Sequence, residues 1–253
     1  MPRTPIHAVV ESTQRLTPHM VRVVLGGDDL ASFTPLEFTD QYVKLKLAGR
    51  TRTYTVREWD AAAGRMTIDF VVHGDTGVAG PWALAAGPGD PIELAGPGGA
   101  YAPDPAADWH LLAGDEAVLP AIAAALQRIP EDVPVLVVVE VAGAGEEVPL
   151  SSPGDLRLRW LHRDAGHPGL VEAVAALEFP AGAVCGFVHG EAGVVRELRR
   201  HLLADRGVPR DALSISGYWK RRLDDEAWRA LKPKWNAAVE ADVPAVYDST
   251  SAS

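Results

Sequence analysis

Trp109-His110-Leu111-Leu112-Ala113-Gly114-Asp115-Glu116-Ala117-Val118-Leu119-Pro120-Ala121 runs from a short apolar segment, through a glycine and two acids, into residues of helical period that continue to Arg128. It reads as strand, tight loop, helix. The alternation then repeats. Residues 133–141 form a β-branched, almost uninterrupted apolar run, the composition of a strand buried on both faces. Residues 156–162 and 183–189 are further strands, 169–177 and 194–206 are helical, and 212–216 closes the series before a C-terminal helix. Strands alternating with helices predict a doubly wound parallel sheet.

Upstream the pattern differs. Residues 6–11, 20–25, 41–47, 66–72 and 91–95 alternate or cluster as short strands. Gly26-Gly27-Asp28, Ala48-Gly49-Arg50, Ala63-Gly64-Arg65 and Gly87-Pro88-Gly89-Asp90 separate them as turns. Pro81 opens a short helix over 81–86. Short, evenly spaced strands predict a small antiparallel barrel. The expected plan is β followed by α/β: a barrel over 1–103, a nucleotide-binding domain over 104–247 and a disordered tail over 248–253. Gly96-Pro97-Gly98-Gly99-Ala100-Tyr101 lacks the lysine and hydroxyl of a P-loop and is expected to be the turn joining the domains.

Composition narrows the function. At 253 residues, two domains of ordinary size fit. The net charge of −10 is spread along the chain and argues against nucleic acid, which needs a basic face. A single cysteine, Cys185, excludes a disulfide framework and a four-thiolate iron–sulfur cluster; its apolar neighbours predict a small core residue. Met1-Pro2-Arg3-Thr4-Pro5 lacks the apolar core of a signal peptide, and no window approaches twenty apolar residues. A cytoplasmic protein without membrane insertion is expected. The eight histidines do not fall at metal-ligand spacing, and no nucleophile elbow is present.

The barrel half carries two motifs. Arg52-Thr53-Tyr54-Thr55-Val56-Arg57 sets an arginine, an aromatic and a hydroxyl on one strand. His73-Gly74-Asp75-Thr76-Gly77-Val78-Ala79-Gly80 leads into Trp82, with glycines that let the backbone approach an anion. A flavin dinucleotide asks for this combination: Arg52 for the pyrophosphate, Tyr54 beside the ring, Thr55 on its polar edge, His73 toward the adenine or phosphate portion, and the loop through Gly74, Gly77, Val78 and Ala79. In the second half, Gly114-Asp115-Glu116 and Gly190-Glu191 each follow a strand and open a helix. Their acids would repel a pyrophosphate, so a nicotinamide or ribose contact is expected there. Arg163, Arg199 and Arg200 are candidates for a nucleotide phosphate. Ser216-Gly217-Tyr218-Trp219 follows the last strand, with aromatics that can face the flavin. The cations Lys220, Arg221 and Arg222 come next and can attract an anionic metal chelate.

These residues resemble the siderophore-interacting protein family of flavin reductases. The resemblance rests on the Arg52–Arg57 motif, on Asp69-Phe70-Val71-Val72-His73-Gly74 with Gly77, Ala79 and Trp82, and on Pro88-Gly89-Asp90. It continues through Gly114-Asp115-Glu116 with Leu119-Pro120-Ala121, Trp160 with Arg163, Gly190-Glu191 and Gly217-Tyr218-Trp219. Departures lie at Gly77-Val78-Ala79-Gly80-Pro81, at His189 and at Lys220-Arg221-Arg222. The resemblance implies a ferredoxin-reductase-like fold, FAD on the barrel with Asp69 among its contacts, and NADH or NADPH on the second domain. It also implies flavin-mediated reduction of a ferric siderophore, with no catalytic side chain and no protein-bound metal. Reduced ferredoxin is an alternative donor, and the chain is expected to act as a monomer. The competing readings are a flavin reductase for another acceptor and a siderophore carrier without redox chemistry.

Overall fold

The computed structural model describes residues 4–72 and 77–242. The expectations for His73 and Gly74, and for the tail, lie outside the described residues. Two compact units form. The first comprises Met1–Ala102 with Pro120–Gln127 and Ala144–Ser151; the second comprises Pro103–Leu119, Arg128–Gly143 and Ser152–Ser253.

The first unit holds β1 (Ile6–Thr17), β2 (Met20–Gly26), β3 (Tyr42–Leu47), β4 (Arg50–Thr55), β5 (Glu58–Asp60), β6 (Arg65–Val71) and β7 (Pro91–Gly98), with α1 (Ala79–Ala85) before β7. They form one seven-stranded sheet in the order β4-β3-β7-β1-β2-β6-β5, antiparallel at every pairing. The end strands β4 and β5 are joined in the chain only by Val56 and Arg57, so the sheet must curl until its edges approach. The Val56 N–H donates to the Gln41 carbonyl at 2.8 Å and the Arg57 N–H to the Thr67 carbonyl at 2.9 Å, one bond toward each edge. Side-chain alternation then fills the interior: Val43, Leu45 and Leu47 from β3, Met66, Ile68 and Phe70 from β6, Ile92 and Leu94 from β7. The hairpin β3–β4 turns through Ala48 and Gly49, both at positive φ, the twist a two-residue hairpin requires.

The second unit holds β8 (Trp109–Asp115), β9 (Pro134–Val141), β10 (Asp155–His162), β11 (Val184–Glu191) and β12 (Leu213–Trp219). They form a five-stranded sheet in the order β10-β9-β8-β11-β12, parallel throughout. The helices α2 (Leu119–Leu126), α3 (Leu170–Ala175), α4 (Ala192–Arg200) and α5 (Asp225–Ala241) alternate with and follow these strands in the chain. Every residue of β8 is buried, as its composition predicts for a central parallel strand. The chain steps outward from β8 to β9 and β10, then returns to place β11 on the other side of β8. The strand order therefore reverses between β8 and β11, where open α/β sheets bind ligands at their carboxyl ends.

Several expectations are corrected. Gly114 and Asp115 belong to β8 and Gly217-Tyr218-Trp219 to β12, so both motifs are strand ends and not loops. Gly96-Pro97-Gly98 lies in β7, with a cis Gly96–Pro97 bond, and is not a turn. The short strand β5 was not foreseen. Cys185 is half-buried rather than a core residue.

Candidate functional site

In the first unit, Arg52 and Tyr54 lie two residues apart on β4 and share a face. Both are half-buried, and Thr55 is buried. The Tyr54 ring meets Phe70 of β6 with centroids 4.3 Å apart, and Phe70 meets Trp82 of α1 at 5.4 Å. Three elements thus build one aromatic row. Arg52 Nη1 donates to the Thr51 carbonyl at 3.0 Å. Gly77 sits at φ +80° with open space where a Cβ would stand. Val78 and Ala79 then lead into α1, and Gly80 brings that helix within 3.4 Å of the Val72 backbone at its would-be Cβ.

Asp69 has a different environment from the expected one. It is buried, and its two oxygens accept from Arg22 Nε at 2.7 Å and Arg22 Nη2 at 2.8 Å, across the register pair Arg22–Asp69 of β2 and β6. Both oxygens therefore face an internal partner. Sequence reading gave no role of its own to Arg57. This side chain is half-buried, and burial lowers its pKa, with Asp69 opposing and Arg22 adding to the effect. Among the described residues no carboxylate closes an ion pair with it. A half-buried guanidinium just past the end of β4 fits the anionic part of a ligand such as a flavin dinucleotide. The signal was in the sequence, since Arg57 ends the motif that Arg52 begins.

In the second unit the two Gly-acid motifs meet. Asp115 is buried and accepts from Trp219 Nε1 at 2.8 Å, from the Glu191 N–H at 2.9 Å and from the Ala117 N–H at 3.0 Å. Burial, and secondarily the charge of Glu116, push its carboxyl up to about 7 against the pull of those donors. Glu191 caps α4: its Oε2 accepts from the N–H groups of Gly193 (2.8 Å) and Val194 (3.1 Å), and its Oε1 from the Arg221 N–H at 3.1 Å. The glycines follow from this closeness. A Cβ on Gly190, at φ +131°, would stand 2.6 Å from Asp115 Oδ2, and one on Gly114 would stand 2.6 Å from the His189 carbonyl. Asp115 and Glu191 thus bind the sheet end together.

His189 is buried and stacks on Phe187 at 4.0 Å, with Tyr218 edge-on at 5.0 Å and Ser214 Oγ 3.0 Å from Nε2. Burial, and secondarily the charge of Lys232, hold its pKa down to about 3, so the ring is neutral at pH 7. Lys220 is half-buried, while Arg221 and Arg222 are exposed. Glu116 pairs with Arg163, which also reaches Glu140, a lone acid in the apolar run of β9 that sequence reading passed over. Arg199 is 5% exposed and donates from Nη1 to the Val239 carbonyl at 2.7 Å, so it anchors α5 and is not placed to hold a phosphate. Among the described residues no group of three or more His, Cys, Asp or Glu side chains is arranged to hold a metal. No described helix is long and apolar enough to cross a membrane.

An antiparallel barrel with an aromatic–arginine face, followed by a parallel sheet of the doubly wound kind, defines the ferredoxin-reductase-like class. A ferredoxin reductase from a carbazole dioxygenase system shares the fold: TM-score 0.69 at 20% identity, covering 87% of this chain and 70% of that one. Closer likenesses go further. The profile of the siderophore-interacting protein matches residues 107–222, and that of the siderophore-interacting FAD-binding domain matches residues 9–50 and 48–101. The ferric vibriobactin reductase of Vibrio cholerae is 33% identical over 84% of this chain and 88% of its own length. An uncharacterised protein of Mycobacterium tuberculosis is 45% identical over 90% of this chain and 95% of its own. The siderophore-interacting protein SipS of Aeromonas hydrophila superposes with TM-score 0.82 at 28% identity, covering 93% of this chain and 99% of that one. The chain belongs to the siderophore-interacting protein family, whose first domain binds FAD.

Proposed function

We propose that this protein is an FAD-dependent reductase of ferric siderophores. The observation that carries the proposal is the aromatic row Tyr54–Phe70–Trp82, with Arg52 on the same face of β4 as Tyr54. It lies within the segment that matches an FAD-binding domain. The vibriobactin reductase relative supports the choice of substrate class.

Each residue has a task that its position supports. Tyr54 covers the isoalloxazine, and Phe70 and Trp82 hold Tyr54 in place. Thr55 offers its hydroxyl to the ring edge. Arg52 and Arg57 neutralise the pyrophosphate, while Gly77 to Ala79 allow backbone approach. When bound, the flavin supplies the conversion of a two-electron donor into single electrons for iron. The second unit receives the donor, a reduced nicotinamide, at the carboxyl end of its sheet, so the reaction belongs in the cytoplasm, where that donor is made. Lys220, Arg221 and Arg222 attract the anionic chelate. Fe(III) in that chelate is the substrate. Reduction to Fe(II) weakens its hold on hard oxygen donors and releases it. The chemistry needs no general acid from the chain.

Anaerobic mixing of the FAD-loaded protein with a ferric siderophore and NADH, NADPH or reduced ferredoxin, in the presence of a ferrous-specific chelator, tests this. Catalytic appearance of Fe(II) with at least one donor is the expected result. Tight binding of the chelate with no Fe(II) from any donor would instead identify a carrier.

A further inference from the structure

At the carboxyl ends of β8, β9 and β10 the sheet presents Glu116, Glu140 and Arg163 as one cluster. Arg163 binds Glu116 through both terminal nitrogens, Nη2 to Oε1 at 2.6 Å and Nη1 to Oε2 at 3.0 Å. Nη1 also reaches Glu140 Oε1 at 3.1 Å. On the far side, His167 Nε2 lies 3.8 Å from Glu140 Oε2. Glu140 stands in register between Asp115 of β8 and Leu161 of β10.

That position has a chemical meaning. In doubly wound sheets the acid at the end of the strand beside the first one accepts the 2′-hydroxyl of an adenosine ribose; where the ribose carries a 2′-phosphate, an arginine nearby takes it instead. Here both residue types are present, but the arginine is already engaged by two carboxylates. Two acids against one guanidinium leave the cluster negative. A 2′-phosphate would meet like charge and would have to displace Glu116 or Glu140 to reach Arg163. A ribose with free hydroxyls would only donate hydrogen bonds to carboxylate lone pairs left open.

We infer that Glu140, with Arg163 held by Glu116, selects a nucleotide with an unphosphorylated adenosine ribose, so that the electron donor is NADH and not NADPH. This rests on the reading of the second unit as the nicotinamide-binding unit. Glu140 and Glu116 are specificity residues here: they touch the ribose, not the reacting atoms.

Two readouts test it. The first is kcat/KM with NADH and with NADPH. The second, free of any turnover, is calorimetric binding of ADP-ribose against 2′-phospho-ADP-ribose to the oxidised, FAD-loaded protein. The wild type is expected to favour NADH and ADP-ribose by roughly tenfold or more, the worth of a charge-assisted hydrogen bond. Glu140→Gln is expected to lose NADH affinity and gain NADPH and 2′-phospho-ADP-ribose affinity by similar factors. Glu116→Gln, at the strand end, frees the same arginine and should shift the ratio in the same direction. Adding Arg163→Ala to either variant should abolish the gain. A wild type that favours NADPH, or a Glu140→Gln protein that folds and keeps the wild-type ratio, would overturn the inference alone. If neither nucleotide binds and only reduced ferredoxin reduces the flavin, the nicotinamide reading itself fails and this inference falls with it.

Discussion

The indole N–H of Trp219 donates to Oδ2 of Asp115 at 2.8 Å, so the carboxyl end of β12 is bound to that of β8 across the intervening strand β11. The same oxygen accepts the Glu191 N–H of β11 at 2.9 Å. One carboxylate oxygen therefore joins three adjacent strands at the carboxyl end of the sheet. The Gly-Asp and Gly-Glu pairs that look like ligand contacts in the sequence are first of all the parts of this lock.

Trp219→Phe keeps the ring and removes the donor. It should cost about 1–2 kcal/mol of stability, the value of a hydrogen bond to a buried acid. Urea denaturation of the variant and the wild type measures this. An unchanged midpoint would mean that the bond does not hold the strands.

The lock makes stability depend on pH in two opposing ways. Asp115 is raised from 3.8 to about 7, by burial first and Glu116 second. Between those values only the folded state keeps the proton, so its contribution is complete below about pH 4 and is lost as pH rises through 7. His189 is lowered from 6.5 to about 3, by burial first and Lys232 second. The unfolded chain takes up a proton below 6.5 that the folded chain refuses, so this contribution is lost as pH falls. The two slopes offset each other from about pH 4 to 6.5. Asp115→Asn should leave a protein that loses stability on acidification more steeply than wild type. His189→Gln should leave one that is more stable near pH 4.5 than near pH 7.5. Denaturation curves at several pH values decide, and slopes equal to wild type in both variants would refute the assignment.

Much of this architecture is legible in the chain because burial writes itself into composition. The run 133–141 could be little other than a doubly buried strand, and β9 is one. The alternation of Val43, Leu45 and Leu47 gives the barrel face directly. What stays hidden depends on tertiary partners. Nothing local distinguishes Asp69 as the partner of Arg22, forty-seven residues away, from Asp69 as a cofactor contact. The motif Gly217-Tyr218-Trp219 was expected after the last strand but completes it, beginning at a glycine. That glycine is there because a Cβ would stand 2.9 Å from that of Ala192. Arg199 was a candidate for a nucleotide phosphate because the helix that covers it, α5, begins twenty-six residues later.

Asp69→Asn separates the internal ion-pair role of that residue from a cofactor contact. Breaking the bidentate pair leaves Arg22 without its counter-charge and should destabilise the protein by about 3 kcal/mol. FAD affinity of the folded fraction should stay within about threefold of wild type, whereas Arg57→Gln should weaken it by roughly tenfold with little loss of stability. Paired melting and flavin-binding curves separate the two effects. Loss of FAD affinity in Asp69→Asn without loss of stability would restore it as a cofactor contact.

Arg199→Ala should release α5. The side chain is 5% exposed and its Nη1 bonds the Val239 carbonyl. A loss of about 2–3 kcal/mol is expected, with faster amide exchange over residues 225–241 and unchanged nucleotide affinity. Weaker nucleotide binding with α5 intact would return the residue to the phosphate role.

The central claim is that the aromatic–arginine face of the barrel holds FAD, and titration of the flavin-free protein with FAD, followed by quenching of flavin fluorescence, tests it most directly. Saturable binding of one FAD per chain, weakened roughly a hundredfold or more when Arg52 and Tyr54 are both replaced by alanine, is the predicted result. A wild-type protein that never takes up FAD in excess, or a double variant that binds it as tightly as wild type, would contradict the account.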